Sequence, residues 1–274
     1  MPDDEGASRS RLDAELVRRG LARSRGVAAE LIAQGLVTVD GRPGLKASLQ
    51  VSDGSAIAVA GADHYVSRGA HKLIGALDAF GVDPGGRVAL DAGASTGGFT
   101  QVLLERGASR VFAVDVGHGQ LATEVASDPA VVNVEGENLR YLTRDSPAFE
   151  RWAAELDRSG WPSLVVGDLS FISLTHVLES LAALAEPGAD FVLLVKPQFE
   201  VGRGGVKEGI VRDRGARQDA AAAVLWAAWD LGLGTLGIVD SPIPGGSGNR
   251  EYLAHLRRGA PDPGTIRERL TGLS

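Results

Sequence analysis

Two lysines and two acids stand where charge is costly. Lys196 closes the apolar run Val192-Leu-Leu-Val195, and Asp168 closes Leu164-Val-Val-Gly167. Lys72 lies in Ser67-Arg-Gly-Ala-His-Lys-Leu73, beside an apolar stripe of Leu73, Leu77 and Phe80. Glu251 opens the last apolar segment, Tyr252-Leu-Ala254. An unpaired charge at the end of a buried strand is unfavourable by several kcal/mol or more, so partners are expected. The choice of lysine adds to this. The chain has four lysines (Lys46, Lys72, Lys196, Lys207) among 28 basic residues, leaving 24 arginines. Where arginine is the default base, a retained lysine invites a reason, because lysine can give up its proton in a tuned site and arginine cannot. Each residue has an ordinary alternative, a snorkelling helical lysine or a structural ion pair. Together the four point to one cleft that handles a polar, ionisable substrate.

A second constellation is Val88-Ala-Leu-Asp-Ala-Gly-Ala-Ser-Thr-Gly-Gly-Phe-Thr-Gln101. It reads as strand, tight turn and helix. Gly93, Gly97 and Gly98 let the backbone pass close to a ligand, with Asp91, Ala94, Ser95, Thr96 and Phe99 forming the rest of the turn. The helix N-terminus supplies unpaired N–H donors there. Ser95 stands where a dinucleotide fingerprint has its middle glycine, which counts against NAD. The turn suits a nucleoside without a pyrophosphate, such as S-adenosylmethionine (SAM), with another nucleotide or a purely structural turn as alternatives. Asp115 closes the next strand, where an acid can hold ribose hydroxyls, and Val116 follows it. Asn138, after the third strand, is placed to meet an adenine edge or to serve its own loop.

The elements that must hold these residues alternate. Strands are expected at Arg87–Asp91, Val111–Asp115, Val131–Val134, Ser163–Asp168, Asp190–Lys196, Thr235–Asp240 and Glu251–Leu256. Helices are expected near 98–106, 118–126, 147–158, 173–185 and 213–231. That alternation means a mainly parallel α/β sheet covered on both faces. Ser67 is placed to cap a helix running to about Phe80. The turn-rich stretch Ser241–Asn249 predicts a final antiparallel strand lying near the fifth, which would bring Glu251 close to Lys196. The glycine-rich segment Gly202–Gly209 reads as a mobile loop beside the cleft.

Composition narrows the classes. The chain has no cysteine, which excludes disulfides and thiolate chemistry. The histidines form no close ligand pair, so no metal site is expected. No apolar run reaches the roughly 18 residues needed to span a bilayer. The acidic start MPDDEGAS is no signal peptide, and a cytoplasmic location is expected. Net charge is −7, yet residues 9–60 carry eight bases and five acids, 8 − 5 = +3. Within a Debye length of about 8 Å, a local basic face can still act. In that stretch, residues 11–22 and 24–34 read as two short helices, with Gly20 ending the first and Ser24 capping the second. Val37–Val39, the turn pair Asp40-Gly41 and residues 51–59 add short strands.

The run from Arg11 to Val59 resembles an S4 RNA-binding domain through Arg11-Leu-Asp13, Arg18-Arg-Gly-Leu21, Ser24-Arg25, Gly35, Gly41 and Lys46. The remainder carries SRGAHKL, LDAGASTGGFTQ, VFAVDVGHGQL, GDLSFIS, LLVKPQFE and GNREYL in order. The whole is similar to TlyA-type RNA methyltransferases, which join an S4 domain to an FtsJ/RrmJ-like domain and some of which bear a haemolysin name. The resemblance implies a SAM-dependent methyltransferase sheet of Rossmann-like α/β class with a small N-terminal α+β domain. It implies SAM as cofactor, 2′-O-methylation of ribosomal RNA cytidines, and ribosomal RNA or subunits as partner. It maps a catalytic set onto Lys72, Asp168, Lys196 and Glu251. RNA contacts are expected at Arg11, Arg18, Arg23, Arg25, Lys46 and Arg68. Whether Lys196 is a neutral base or a charged positioning group stays open. The expected organisation is a disordered 1–8, an S4-like domain at 9–60, a linker at 61–67, a methyltransferase domain at 68–262 and a tail at 263–274. Rival readings are an idle RNA-binding assembly factor, a membrane-active haemolysin without a membrane interaction expected here, and a NAD oxidoreductase.

Overall fold

The computed structural model describes residues 9–19, 21–22, 24–44, 46–59, 64–142, 145–147, 149–150, 156–158, 160–202, 209–245 and 248–274. The expected disordered start, Gly20, Arg23, residues 61–63 of the expected linker, half of the expected helix 147–158, and 203–208 of the glycine-rich loop lie outside these. The chain divides into two compact units, Met1–His64 and Tyr65–Ser274.

The first unit contains β1 (Arg9–Arg11), α1 (Leu12–Arg18), α2 (Arg25–Ala33), β2 (Val37–Val39), β3 (Arg42–Pro43), β4 (Gln50–Ser52) and β5 (Ile57–Val59). Leu12 and Leu16 of α1 meet Ala28 and Ile32 of α2 over Val37 and Val51. The Ser24 hydroxyl accepts from the Val27 amide at 3.3 Å and caps α2, as its type predicts. Asp40 and Gly41 both take positive φ, 50° and 76°, which matches the strand twist in a two-residue hairpin between β2 and β3. β2 also pairs with β5, and β1 with β4, all antiparallel. α1 stops short of the expected residue 22 because the chain folds back, the Leu21 and Ala22 amides both bonding to the Leu16 carbonyl.

The second unit begins with α3 (Gly69–Phe80). Then follow β6 (Val88–Ala92), α4 (Gly98–Glu105), β7 (Arg110–Asp115), α5 (Thr123–Ala126) and β8 (Val131–Glu135). β9 (Leu164–Gly167), β10 (Asp190–Val195), β11 (Leu233–Asp240) and β12 (Tyr252–Arg258) complete a seven-stranded sheet. Its order is β11-β12-β10-β9-β6-β7-β8. β6 to β10 are mutually parallel, and β12 runs antiparallel to both neighbours, as the turn-rich connection predicts. Period-two alternation sends Leu90, Phe112, Val165 and Leu193 to one face and Ala89, Val111, Val166 and Val192 to the other. Both faces are therefore covered, which is why these strands read as unbroken apolar runs. α3 and α4 cover the second face through Leu73, Leu77, Phe99 and Leu103. The long helix Arg214–Asp230 covers the first through Ala221, Val224 and Leu225. From β6 the chain winds outward one way to β7 and β8; with β9 and β10 it winds the other way. The crevice outside the strand ends at this switch is where such sheets take ligands.

Four expectations need correction. The helix expected at 118–126 shrinks to α5, because Gly119 turns at φ 63° and its amide is held by Glu135. The helix expected at 173–185 breaks into a 3-10 turn over Leu174–His176 and a helix over Leu178–Ala183, with the Glu200 carboxylate taking the Leu174 amide at 2.9 Å. Ser67 starts α3 through its carbonyl, which accepts from the Ala70 amide, and makes no side-chain cap. The stretch expected as a tail, 263–274, folds into a 3-10 turn, Pro263–Ile266, and a helix, Arg267–Gly272, and buries Ile266, Leu270 and Leu273 in the core.

Candidate active site

Lys72, Asp168, Lys196 and Glu251 meet at the carboxyl edge of the sheet. α3 lies on the sheet with Leu73 fully buried, so its neighbour Lys72 is carried to that edge and is 7% exposed. Its ammonium donates to Glu251 Oε2 at 2.7 Å and lies 3.7 Å from Asp168 Oδ2. The Lys196 ammonium is 2.6 Å from Asp168 Oδ1 and donates to Ser170 Oγ at 2.6 Å. Asp168 therefore bridges both lysines. Two cations and two carboxylates balance, which is what allows so much charge to be buried together.

The partners are not those the strand order suggests. Strand order predicts Glu251 beside Lys196, because β12 lies against β10 with Tyr252 opposite Val195. Its carboxylate instead turns to Lys72, and the Gln198 amide donates to its other oxygen at 3.3 Å. Gly245 lies against that carboxylate: a Cβ there would clash with Glu251 Oε1. Pro197 does end β10, and does so as the first residue of a short helix, Pro197–Glu200. Ser170 and Gln198 were missed by sequence reasoning. Both lie two residues after a strand-end charge, Asp168 and Lys196, and that spacing was the available signal.

Phe171 adds an exposed aromatic. It is 92% exposed and holds φ at 65°, an unfavourable backbone for a bulky residue. Such strain persists where neighbours over-determine it. Here Ser170 is bonded to Lys196 on one side, and on the other Ser173 donates to Glu200. The Phe171 ring lies 5.5 Å from Phe199. Burial pushes the Glu200 carboxyl up from its ordinary range, against the hydrogen bonds from Ser173 and Leu174.

The turn after β6 stands next to this set. Gly93 takes φ 81°, and a Cβ on it would lie 3.4 Å from the Asp168 carbonyl, so turn and charged set share one wall. Ser95 also has positive φ, 48°. The Asp115 carboxylate accepts from the Ser95 and Gly117 amides, each at 2.8 Å, which fixes it at the crevice. Val116 beside it is 65% exposed, an apolar surface at the mouth. Asn138 is exposed and caps its own 3-10 turn, its Oδ1 accepting from the Arg140 amide.

Gly97 requires a different reason from the one expected. Its φ is 96°, and a Cβ would lie 2.7 Å from Leu121 Cδ1 and 3.1 Å from Val125, against the segment leading into α5 rather than in open ligand space. Gly97→Val is expected to twist the whole turn away from α5 and to abolish SAM affinity while lowering the melting temperature. Calorimetric titration with unchanged affinity would refute the placement of the site.

Asp91, at the start of the turn, is a buried acid. It is fully buried, Thr100 donates to its Oδ2 at 2.6 Å, and its Oδ1 has no hydrogen-bond partner among the described residues. Burial pushes its carboxyl up to about 7 from an ordinary 3.8, with the charges of Asp168 and Asp115 adding to the rise and the Thr100 hydrogen bond opposing it. A carboxyl that is harder to ionise folded than unfolded binds a proton on folding. Its contribution to stability is complete below about pH 4 and is lost as pH rises towards 7. The variant Asp91→Asn is expected to lack that component. Melting temperatures from pH 4 to 8 should fall less steeply in the variant, and parallel curves would contradict the raised value.

A parallel sheet of this order, a glycine turn at its switch point and an anchored acid on the next strand define a methyltransferase of the SAM-dependent kind. Comparison with known proteins agrees. Residues 65–258 match the FtsJ-like methyltransferase family and residues 10–57 the S4 domain. The 16S/23S rRNA (cytidine-2′-O)-methyltransferase TlyA of Mycobacterium tuberculosis is 52% identical over 254 residues, 92% of this chain and 91% of that protein. Hemolysin A of Brachyspira hyodysenteriae is 37% identical, over 90% of this chain and 99% of its own. A hemolysin-named structure from Streptococcus thermophilus superposes with a TM-score of 0.75 at 36% identity, covering 97% and 96% of the two chains. The chain belongs to the TlyA family of FtsJ-like methyltransferases that carry an S4 domain. Among the described residues no helix is long and apolar enough to cross a membrane.

Proposed function

We propose that the protein transfers a methyl group from SAM to a ribose 2′-hydroxyl of ribosomal RNA, with cytidines of the small and large subunits as the expected targets and the cytoplasm as its place. The observation that carries this reading is the single wall shared by the Gly93 turn and Asp168, which puts the crevice at the switch point against two buried, carboxylate-paired lysines. The residues present fit the cofactor. The turn from Asp91 to Phe99, Asp115 and Val116 would hold it, and the buried Asp91 carboxyl at the start of that turn has one oxygen without a hydrogen-bond partner among the described residues. When bound, SAM supplies an electrophilic methyl group. Asp168 holds the Lys196 ammonium, and Lys196 in turn holds the 2′-oxygen and offsets its developing negative charge. Lys72, fixed by Glu251, orients the ribose. Phe171 offers a face on which an unstacked base can rest, as RNA-modifying sites use. Positioning of this kind can contribute on the order of 7–11 kcal/mol.

The 2.6 Å contacts of Lys196 to a carboxylate and a hydroxyl favour the charged, positioning role over the neutral base. In the first unit, Arg11, Arg18, Arg25 and the exposed Lys46 serve as the contact surface for RNA phosphates. Arg68, exposed at the start of α3, is a further RNA contact in this reading. The test is radiolabelled SAM supplied with intact ribosomes, separate subunits and naked ribosomal RNA, followed by mapping of ribose methylation. Label at a ribose 2′-oxygen is the expected result. SAM binding with no transfer to any of these substrates would favour an idle assembly factor.

A further inference from the structure

The first unit buries two carboxylates beneath its arginines. Asp13 is 5% exposed and Glu15 is fully buried, although both belong to a short helix on a small domain. Each is surrounded by guanidinium groups. Arg11 donates to Asp13 through Nε and Nη2, both at 3.0 Å, and Arg25 donates from α2 to the same carboxylate at 2.9 Å. Arg18 and Arg19 both donate to Glu15, and Ser10 adds a hydroxyl bond at 2.7 Å. The hydrogen bonds from Arg11 and those from Arg18 and Arg19 hold the Asp13 and Glu15 carboxyls well below the usual carboxylate range, so both stay charged.

The four arginines are not equivalent. Arg19 spends its remaining donors on the carbonyls of Ser52, Asp53 and Ser55, and its side chain is 23% exposed. It is a structural tie between α1 and the β4–β5 connection. Arg11 and Arg25 use one edge of the guanidinium on Asp13 and remain 46% and 60% exposed. Their Nη1 groups have no hydrogen-bond partner among the described residues. Arg18 is 59% exposed and spends part of its outer edge on Asp53.

We infer that Asp13 is a positioning residue for RNA binding: it draws two like-charged guanidiniums, one from the end of β1 and one from α2, onto one carboxylate and holds their outer edges ready as a paired phosphate clamp. This rests on the reading of the first unit as the RNA-docking surface. Arginine has five N–H donors in a rigid fork, so an edge bound to carboxylate leaves another edge for phosphate. Without Asp13, Arg11 and Arg25 would repel each other and regain their rotamer freedom, which phosphate would then have to remove again. Glu15, by contrast, mainly anchors Arg19 and the fold of the unit.

The inference opposes what net charge alone predicts. Asp13→Asn removes a negative charge from an RNA-binding surface, which by long-range attraction should tighten binding. The clamp predicts the reverse. The full-length protein is titrated against a fluorescent ribosomal RNA fragment over a series of salt concentrations, with thermal melting alongside. Asp13→Asn is expected to weaken binding about tenfold and to lower the log–log salt slope by about 0.7 for each phosphate of single-stranded RNA that is no longer neutralised. The double variant Arg11→Lys with Arg25→Lys keeps both charges on exposed side chains but lacks the fork. It is expected to bind at least about fivefold more weakly with its salt slope retained. It carries the test if Asp13→Asn fails to fold. Equal or tighter binding by a folded Asp13→Asn, or unchanged affinity in the double lysine variant, overturns the inference. Replacement of Arg11 and Arg25 together by alanine separates the two levels. If that variant binds RNA like the wild type, the docking reading itself fails; if it binds weakly while the other two bind normally, only the positioning role fails.

Discussion

Lys196→Arg is expected to lose turnover by about 100-fold or more while SAM affinity stays at its wild-type value. The charge is kept and the reach is nearly kept, so a cation needed only for its charge would tolerate the change. The surroundings of Lys196 do not. Its ammonium is a compact point held at 2.6 Å from both Asp168 Oδ1 and Ser170 Oγ, with the residue 7% exposed. A planar guanidinium is larger and directs its donors in fixed directions. It cannot take up both contacts and still present a donor at the position of the ribose oxygen. In the proposed site, cofactor affinity is assigned to the turn from Asp91 to Phe99 and to Asp115, whose carboxylate is fixed by the Ser95 and Gly117 amides. Single-turnover methyl transfer to ribosomal substrate, with calorimetry for SAM, measures the two separately. Near wild-type turnover would remove Lys196 from the mechanism.

The placement of the charged set was legible because each member interrupts an apolar pattern. Asp168 and Lys196 end strands that have no other reason to carry charge, and the parallel sheet delivers strand ends to one edge. The pairing within the set was not legible. Register puts Tyr252 opposite Val195, yet the Glu251 side chain turns towards Lys72 on α3, a helix that lies across the sheet. Strand order carries no information about which helix residue overhangs a strand end. Gly97 shows a related limit. Its positive φ could be expected from its type and place, but not that Leu121 and Val125 fill the space beside it.

The first unit exposes a different blind spot. Its arginines read as a basic face, because a sum of charges weighs each residue alone. Asp13 and Glu15 entered that sum only as subtractions, whereas the fold buries them at the centre of the guanidinium cluster. The end of the chain was misread for the opposite reason. Pro261 and Pro263 punctuate the sequence as a loop does, but Ile266, Leu270 and Leu273 after them follow a helical spacing and join the core.

Asp168→Asn should be more damaging than its small change in shape implies, and it separates the two roles open to Lys196. Among the described residues, Asp168 is the one carboxylate near both lysines, 2.6 Å from Lys196 and 3.7 Å from Lys72. Its amide analogue leaves Lys196 buried without a counterion. Breaking a fully buried pair from one side destabilises by about 3–5 kcal/mol; the 22% exposure of the Asp168 side chain puts the expected loss below that range. A buried ammonium without its partner gives up its proton more readily. If Lys196 worked as a neutral base, that change would help, and the rate at neutral pH would hold or rise. If it works as a charged group that offsets the developing charge on the ribose oxygen, the same change removes its function and its fixed position together. The contacts favour the second role. The expected result is a single-turnover rate at least about 100-fold down at pH 7, the scale set by removal of an oxyanion partner. Lowering the pH restores the charge on Lys196, so the variant should recover part of its rate as pH falls, whereas a base would lose further activity. A pH–rate profile of Asp168→Asn beside the wild type distinguishes the two by the sign of its slope, and a rate at pH 7 equal to or above wild type would reverse the role given to Lys196.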